Sequence, residues 1–443
     1  MTVYLHSLGC DKNLVDSEIM LGLMHEAGLK SEADPAKATV IVVNTCGFIQ
    51  EAVEEGIETI LEHAAYKESG QCKALIVTGC MAQRYRAEIS KDIPEVDVIL
   101  GVTDFPRIVA EINALLNINK EAKSYNILDE ELFAKRAATM PMHVAYVKIS
   151  EGCNNNCTYC TIPAIRGAYR DRPFEPIIEE CKRLLKGGAK ELVLIAQDTA
   201  KYGTELYGKQ RLHELLKEIA ALDDLGWLRV MYAYPEHVYP ELITTIATDD
   251  KICSYIDMPI QHCNDAVIAR MGRKSSEKSL RALLSQLRDN GIAVRTTLIV
   301  GFPGETDEEF ASLTRFVEEE KFEHLGAFTY SREEGTPAAK MKPQIKKSVK
   351  EARLKEIMTR QASIAQNNGQ KLVGQTLKVM VDGSVGEDNG QIAYCGRSSK
   401  DAYDVDGAVF FSSPVEWMSG DWVEIKVTKA QAYDLYGELI EHE

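Results

Sequence analysis

Short apolar runs that alternate with amphipathic stretches limit this chain to a few folds. In residues 1–118, VYLHSLG, TVIVVNT, KALIVTG and VDVILGV read as strands. DSEIMLGLMHEAG and QEAVEEGIETILEHAAY carry apolar residues at helical spacing. Asp16 or Ser17 is expected to cap the first helix and Gly28 to close it. Strand–helix–strand alternation predicts a parallel sheet with helices on both faces. Residues 119–138 are polar and weakly patterned, and read as a linker with a strand-like YNIL. From Ala145 the alternation returns in VAYVKIS, ELVLIAQ, LRVMYAY, YIDMPIQ, VRTTLIVGF and HLGAFTY. Six strands separated by helices predict a partial (β/α)6 barrel over 139–369, ending in a long helix near Gly369. TLKVMVDG, GQIAYCGRS, AVFFSS and DWVEIKVTKA then predict a small all-β barrel over 370–443.

A chain of 443 residues exceeds one ordinary core. No run of about 18 apolar residues suits a membrane span, and MTVYLHSLGC lacks the form of a secretory leader. The expected location is cytoplasmic, with no membrane partner. There, eleven cysteines, an odd number, point to metal or redox chemistry rather than a disulfide framework. The net charge of −16 is concentrated at the two ends. Residues 1–118 hold 9 Lys+Arg against 18 Asp+Glu, and residues 371–443 hold 6 against 13. Acidic surfaces repel phosphate backbones and attract basic partners.

Cys153, Cys157 and Cys160 sit in SEGCNNNCTYCTIP, just after the first barrel strand. Three thiolates leave one iron of a 4Fe-4S cluster open to a cofactor, at the barrel mouth where such enzymes work. A zinc site lacking its fourth ligand is the alternative. Cys10, Cys46 and Cys80 each follow a strand of the N-terminal sheet, with Gly9, Gly47 and Gly79 beside them. The ends of parallel strands share one edge, so these three can meet around a second cluster. Otherwise they are small residues packed at strand ends. Cys72, Cys181, Cys253, Cys263 and Cys395 have no ligand-like spacing and are expected to be structural.

The CxxxCxxC placed after the first barrel strand resembles the radical S-adenosylmethionine superfamily. That resemblance implies that the open iron binds the amino and carboxylate groups of S-adenosylmethionine, whose reductive cleavage yields a 5′-deoxyadenosyl radical. It also implies that Tyr159 lies near adenine. With a second cysteine triad and a C-terminal β-barrel, the whole chain resembles the methylthiotransferases, which join an N-terminal domain, a radical core and a TRAM domain. Their implied cofactors are two 4Fe-4S clusters and S-adenosyl-L-methionine, used once as methyl donor and once as radical source. A radical is needed because an unactivated C–H bond yields no proton to a base. SLGCDKNLVDSE, VVNTCGFI, YVKISEGCNNNCTYCTIPAIRG, IAQDT, VGFPGET and SREEGTPAA are similar to the branch that modifies an aspartyl β-carbon of small-subunit ribosomal protein twelve. The implied partners are that protein, free or in the ribosomal subunit, an electron donor and a sulfur donor. The acidic C-terminal barrel makes tRNA unlikely as a substrate. A tRNA adenosine methylthiotransferase and a non-catalytic iron–sulfur sensor on the ribosome are the alternatives.

Polar residues at barrel strand ends are further candidates. Gln197, Asp198, Gln261, His262, Arg295 and Thr297 can hold the methionyl or ribose part of the cofactor. Ile299 and Gly301 match the centre of the superfamily's GxIxGxxE pattern, which implies support of adenine. Thr297 replaces its first glycine, and Glu305 sits one position late, where it can equally cap the next helix. Arg273 and Lys274 can meet an aspartate substrate or lie in a solvated loop.

Overall fold

The computed structural model describes residues 1–139, 141–388 and 390–440. Its N-terminal sheet is wholly parallel, in the order Lys30–Ser31, Thr2–Ser7, Val40–Thr45, Ala74–Gly79, Val98–Leu100. Val40–Thr45 and Ala74–Gly79 are buried along their whole length, as central parallel strands covered on both faces must be. Val40, Val42 and Ile76 face helix Asp11–Glu26, while Ile41, Val43 and Val77 face helix Gln50–Ala64. The first helix starts earlier than its sequence suggests. Cys10 is its N-cap, so Asp16 and Ser17 lie inside it, buried and bonded to other elements. Gly28, at φ +96°, follows its end and donates its N–H to His25 O.

Six strands form the central partial barrel: Val144–Lys148, Glu191–Ile195, Trp227–Val230, Tyr255–Asp257, Ala293–Val300 and His324–Thr329. Backbone bonds of Leu228 to Lys251 and Cys253, and of Ala233 N–H to Asp257 O (2.8 Å), link its two three-stranded halves. Helix Lys347–Gln370 leads to a closed five-stranded barrel of Thr376–Asp388, Gln391–Arg397, Val409–Ser413, Trp422–Gln431 and Asp434–Leu439. The last of these strands extends the four visible in the sequence.

YNIL forms no strand. Residues 119–138 instead form a strap with one short helix, Glu130–Ala134, and it is anchored rather than solvated. Leu132 and Phe133 are buried, and Arg136 reaches Glu18 (2.6 Å) and Glu180 (2.9 Å). One apolar cluster runs through all three parts. Val15 and Ile19 of the first helix, Val144, Tyr146 and Trp227 of the barrel, and Met380 and Ala402 of the C-terminal barrel belong to it. The parts are therefore packed as one body.

Candidate active site

Backbone geometry brings the N-terminal cysteines together. Gly9 (φ +88°) passes so close to Cys46 that a Cβ there would lie 2.6 Å from the Cys46 Cβ. Cys46 directly follows strand Val40–Thr45, and Cys80 opens helix Cys80–Arg84 behind Gly79. Cys10 is exposed, Cys46 half-buried and Cys80 buried. Burial pushes the Cys80 thiol up to about 12, and charge on Cys10 or Cys46 would raise it further. Arg166 opposes that rise. Its Nη2 donates to Asn13 Oδ1 (2.7 Å), and the Cys80 Sγ lies 3.7 Å from the same oxygen.

Cys153, Cys157 and Cys160 lie on the irregular loop after Val144–Lys148. Asn155 N–H points at the Cys153 Sγ and Ile162 N–H at the Cys160 Sγ, each at 3.4 Å. The Tyr234 hydroxyl lies 3.5 Å from the Cys157 Sγ. Burial pushes Cys153 up to about 11 and Cys160 up to about 12. Such thiols stay protonated and are poor nucleophiles, but a metal displaces the proton outright. N–H groups aimed at sulfur suit iron–sulfur ligands. No three His, Cys, Asp or Glu side chains among the described residues converge tightly enough to grip a single metal ion. A cubane asks for a wider set, because each thiolate binds a different iron. Each triad offers the three thiols that such a group uses, with N–H groups aimed at Cys153 and Cys160 and the Arg166 cation beside Cys80.

Helix Ile162–Arg166 follows Cys160 and packs Ile165 against Cys80 and Val102. The loop 331–339 touches both sides. Arg84 bonds Gly47 O, pairs with Glu333 (2.7 Å), and Ala338 N–H donates to Thr158 O (2.9 Å). Beneath lies a buried charge network. Lys148 joins Asp16 (2.5 Å) and Glu151 (2.8 Å), and Arg166 joins the same two carboxylates. The Arg166 and Lys148 charges hold the Glu151 carboxyl far below its usual range against the opposing effect of burial.

The strand Ala293–Val300 alternates cleanly. Thr296, Leu298 and Val300 are buried, while Arg295, Thr297 and Ile299 are half-exposed on the other face. Tyr159 and Ile299 share one small cluster with Phe302, Tyr330 and Met341. Gln261, at φ +69°, is held by Thr297 O and by Ile299 N–H. Gln197 donates to Glu151 (3.1 Å), while its Oε1 has no protein partner among the described residues. A buried acceptor left open is what a bound ligand's donor would fill. Gly301, at φ +71°, lies under Lys350.

Other candidates are engaged elsewhere. Asp198 is a support: it accepts from Asn155 Nδ2 (2.8 Å) in the cysteine loop and contacts His237 (2.6 Å). Glu305 pairs with Arg353 (3.1 Å), and Thr306 with Glu309 forms the capping box. Arg295 pairs with Asp257 and Asp406. His262 is buried with its Nδ1 accepting Asn264 N–H. Arg273, 6% exposed, bonds Pro259 O (2.8 Å) and Glu236 (3.3 Å) and stacks on Tyr234, while Lys274 beside it is exposed. Asn13, Lys148, Glu151, Arg166 and Tyr234 were not singled out in the sequence. KNLVDSE and IPAIRG held four of these or their partners, but nothing local marks them as buried donors and acceptors.

Comparison with known proteins decides the family. The description "Uncharacterized protein family UPF0004" matches residues 2–101, the radical SAM superfamily 147–317, and the TRAM domain 373–440. A protein of Lachnoclostridium phytofermentans named ribosomal protein uS12 methylthiotransferase RimO is 49% identical, over 99% of each chain. The chain belongs to the RimO family. A RimO of Trichlorobacter lovleyi is 46% identical, over 98% of this chain and 97% of its own. Among solved structures, the fold is similar to the radical S-adenosylmethionine methyltransferase TsrM of Kitasatospora setae, with TM-score 0.55 and 13% identity over 76% of each chain. It also resembles the cobalamin-dependent radical enzyme OxsB, with TM-score 0.52 and 13% identity over 82% of this chain and 57% of that one. Those likenesses concern the fold. No helix among the described residues is long and apolar enough to cross a membrane.

Proposed function

We propose that this RimO-family chain transfers a methylthio group to the β-carbon of an aspartyl residue in ribosomal protein uS12. The observation that supports this reading is the pair of cysteine triads, one after strands of the N-terminal sheet and one on the loop after the first barrel strand, connected by helix Ile162–Arg166, which follows Cys160 and packs on Cys80. With a 4Fe-4S cluster on each triad, reductive cleavage of S-adenosylmethionine at Cys153, Cys157 and Cys160 would supply the radical, and Cys10, Cys46 and Cys80 would hold the site of methylthio delivery.

The chain's own residues place these groups. Asp198 fixes the cysteine loop through Asn155. Tyr159, Ile299 and Gly301 offer an apolar seat to adenine, while Gln197, Gln261 and Thr297 offer polar contacts at the strand ends. The Lys148–Asp16–Arg166–Glu151 network fixes the distance between the two triads and puts a buried cation beside Cys80. The acidic C-terminal barrel suits a basic protein substrate, with electrons and sulfur supplied by separate donors.

The test uses anaerobically reconstituted enzyme with S-adenosylmethionine, reductant and sulfide. It is incubated with small ribosomal subunits and, separately, with total tRNA. Mass spectrometry is expected to find the methylthio group on a uS12 aspartate and none on tRNA. Modified adenosine with unmodified uS12 would overturn the reading.

A further inference from the structure

A buried cation beside the first auxiliary cysteine has no hydrogen-bond or ion-pair partner among the described residues. Lys12 lies two residues past Cys10, in the first turn of helix Asp11–Glu26, and is 7% exposed. Its Nζ sits 3.0 Å from the centroid of the Tyr232 ring. Among the described residues it makes no hydrogen bond or ion pair. Two carboxylates are near, and both are occupied. Asp11 accepts the Tyr232 hydroxyl (2.7 Å). Asp257 accepts the Tyr232 N–H (3.2 Å) and pairs with Arg295 (3.5 Å).

An unpaired buried ammonium is costly, so its retention calls for an anion that arrives from outside. Its surroundings say where that anion lies. Cys10 stands on one side. On the other, the chain runs from Tyr232 to Tyr234, whose hydroxyl reaches the Cys157 Sγ at 3.5 Å. Tyr232 is held at φ +63°, a strained conformation for a non-glycine residue of the kind that collects at working sites. Lys12 thus lies beside Cys10 of one triad and against the segment that carries Tyr234 to Cys157 of the other, and the reacting carbon has to meet both. In an aspartyl residue, the atom next to the β-carbon belongs to a carboxylate.

We propose that Lys12 binds the carboxylate of the substrate aspartyl residue and so selects aspartate and aims its β-carbon. This rests on the proposed uS12 activity. A rival role is open to test, in which Lys12 only balances negative charge at Cys10.

The experiment measures binding of purified uS12 to the reconstituted holoenzyme, with the target residue as Asp or as isosteric Asn. Wild type, Lys12→Met and Lys12→Arg are compared at matched iron content and unfolding midpoint. Wild type should bind the Asp form about tenfold to a hundredfold more tightly than the Asn form, as a charge-assisted buried bond requires. Lys12→Met should bind both forms equally, and Lys12→Arg should restore part of the preference. An undiminished preference in Lys12→Met, or equal weakening of both forms, would overturn the proposal. So would a wild type that does not discriminate. Failure of the underlying activity shows separately, as wild-type enzyme that leaves uS12 aspartate unmodified in the mass-spectrometric assay.

Discussion

Replacing Gly22 by alanine should destabilise this protein, although the same change in an ordinary helix stabilises. Gly22 lies in the interior of helix Asp11–Glu26, where alanine gains about 1 kcal/mol over glycine. Here the strap crosses directly over it. An added Cβ would stand 1.7 Å from Lys135 O and 3.1 Å from Ala137 N, and both are backbone atoms with no rotamer to yield. The strap must lift, and with it Arg136, whose guanidinium holds buried Glu18 and Glu180. Breaking such a buried set costs about 3–5 kcal/mol. Subtracting the helical gain of about 1 leaves a net loss of about 2–4 kcal/mol. At roughly 1 °C per kcal/mol for a body of this size, thermal unfolding should fall by about 2–4 °C. Gly56→Ala in helix Gln50–Ala64 is the control, because its nearest neighbour is the flexible Met81 Sδ at 3.0 Å; its change should be near zero. A Gly22→Ala protein that melts at or above wild type would refute the reasoning.

Replacing Cys153, Cys157 and Cys160 together by alanine should halve bound iron and abolish cleavage of S-adenosylmethionine. Replacing Cys10, Cys46 and Cys80 should also halve iron yet spare that cleavage; iron and methionine assays decide. Arg166→Met removes the buried cation beside Cys80 and should lower the reduction potential of a cluster held by Cys10, Cys46 and Cys80, as proposed above, read by potentiometric titration, with Arg166→Lys intermediate. An unchanged potential would deny Arg166 that role. Burial pushes His262 down to about 3. Its folded value lies below its unfolded one, so its neutral form costs nothing above about pH 6.5, and stability is lost as pH falls toward about 3, by about 1.4 kcal/mol per unit. Wild type should therefore lose stability faster than His262→Gln between pH 6 and about 4 in denaturant titrations; parallel curves would count against it.

The order of parallel sheet, partial barrel and β-barrel was legible because each rests on local hydrophobic period, which the chain carries residue by residue. The fifth strand of the last barrel was not. Its turn, around Ala432 at φ +51°, uses no glycine or asparagine to announce itself. Asp16 and Ser17 look like helix caps by type, but tertiary partners claim them: Lys148 and Arg166 for the first, Ser7 and Asn44 for the second. The cysteine positions were visible because thiols after strands or in tight spacing are rare. Their buried supports were not, since Arg166 meets Asn13 across 153 residues of chain and no local pattern records such a meeting. KNLVDSE, the stretch after Cys10 and Asp11, turns out to face inward. Asn13, Asp16, Ser17 and Glu18 are spent on contacts within the body.

The apolar cluster that runs through all three parts has a consequence for how the chain is made. Synthesis delivers the N-terminal sheet first. At that moment Val15, Ile19 and Met20 are covered by their own sheet but not yet by the barrel, and Asp16 and Glu18 have no cations, because Arg136, Lys148 and Arg166 have yet to emerge. Met380 and Ala402 close the same cluster from the far end of the chain. The earliest-made third of the protein must therefore wait, incomplete, until almost the last residue leaves the ribosome, the particle that also holds the substrate proposed here.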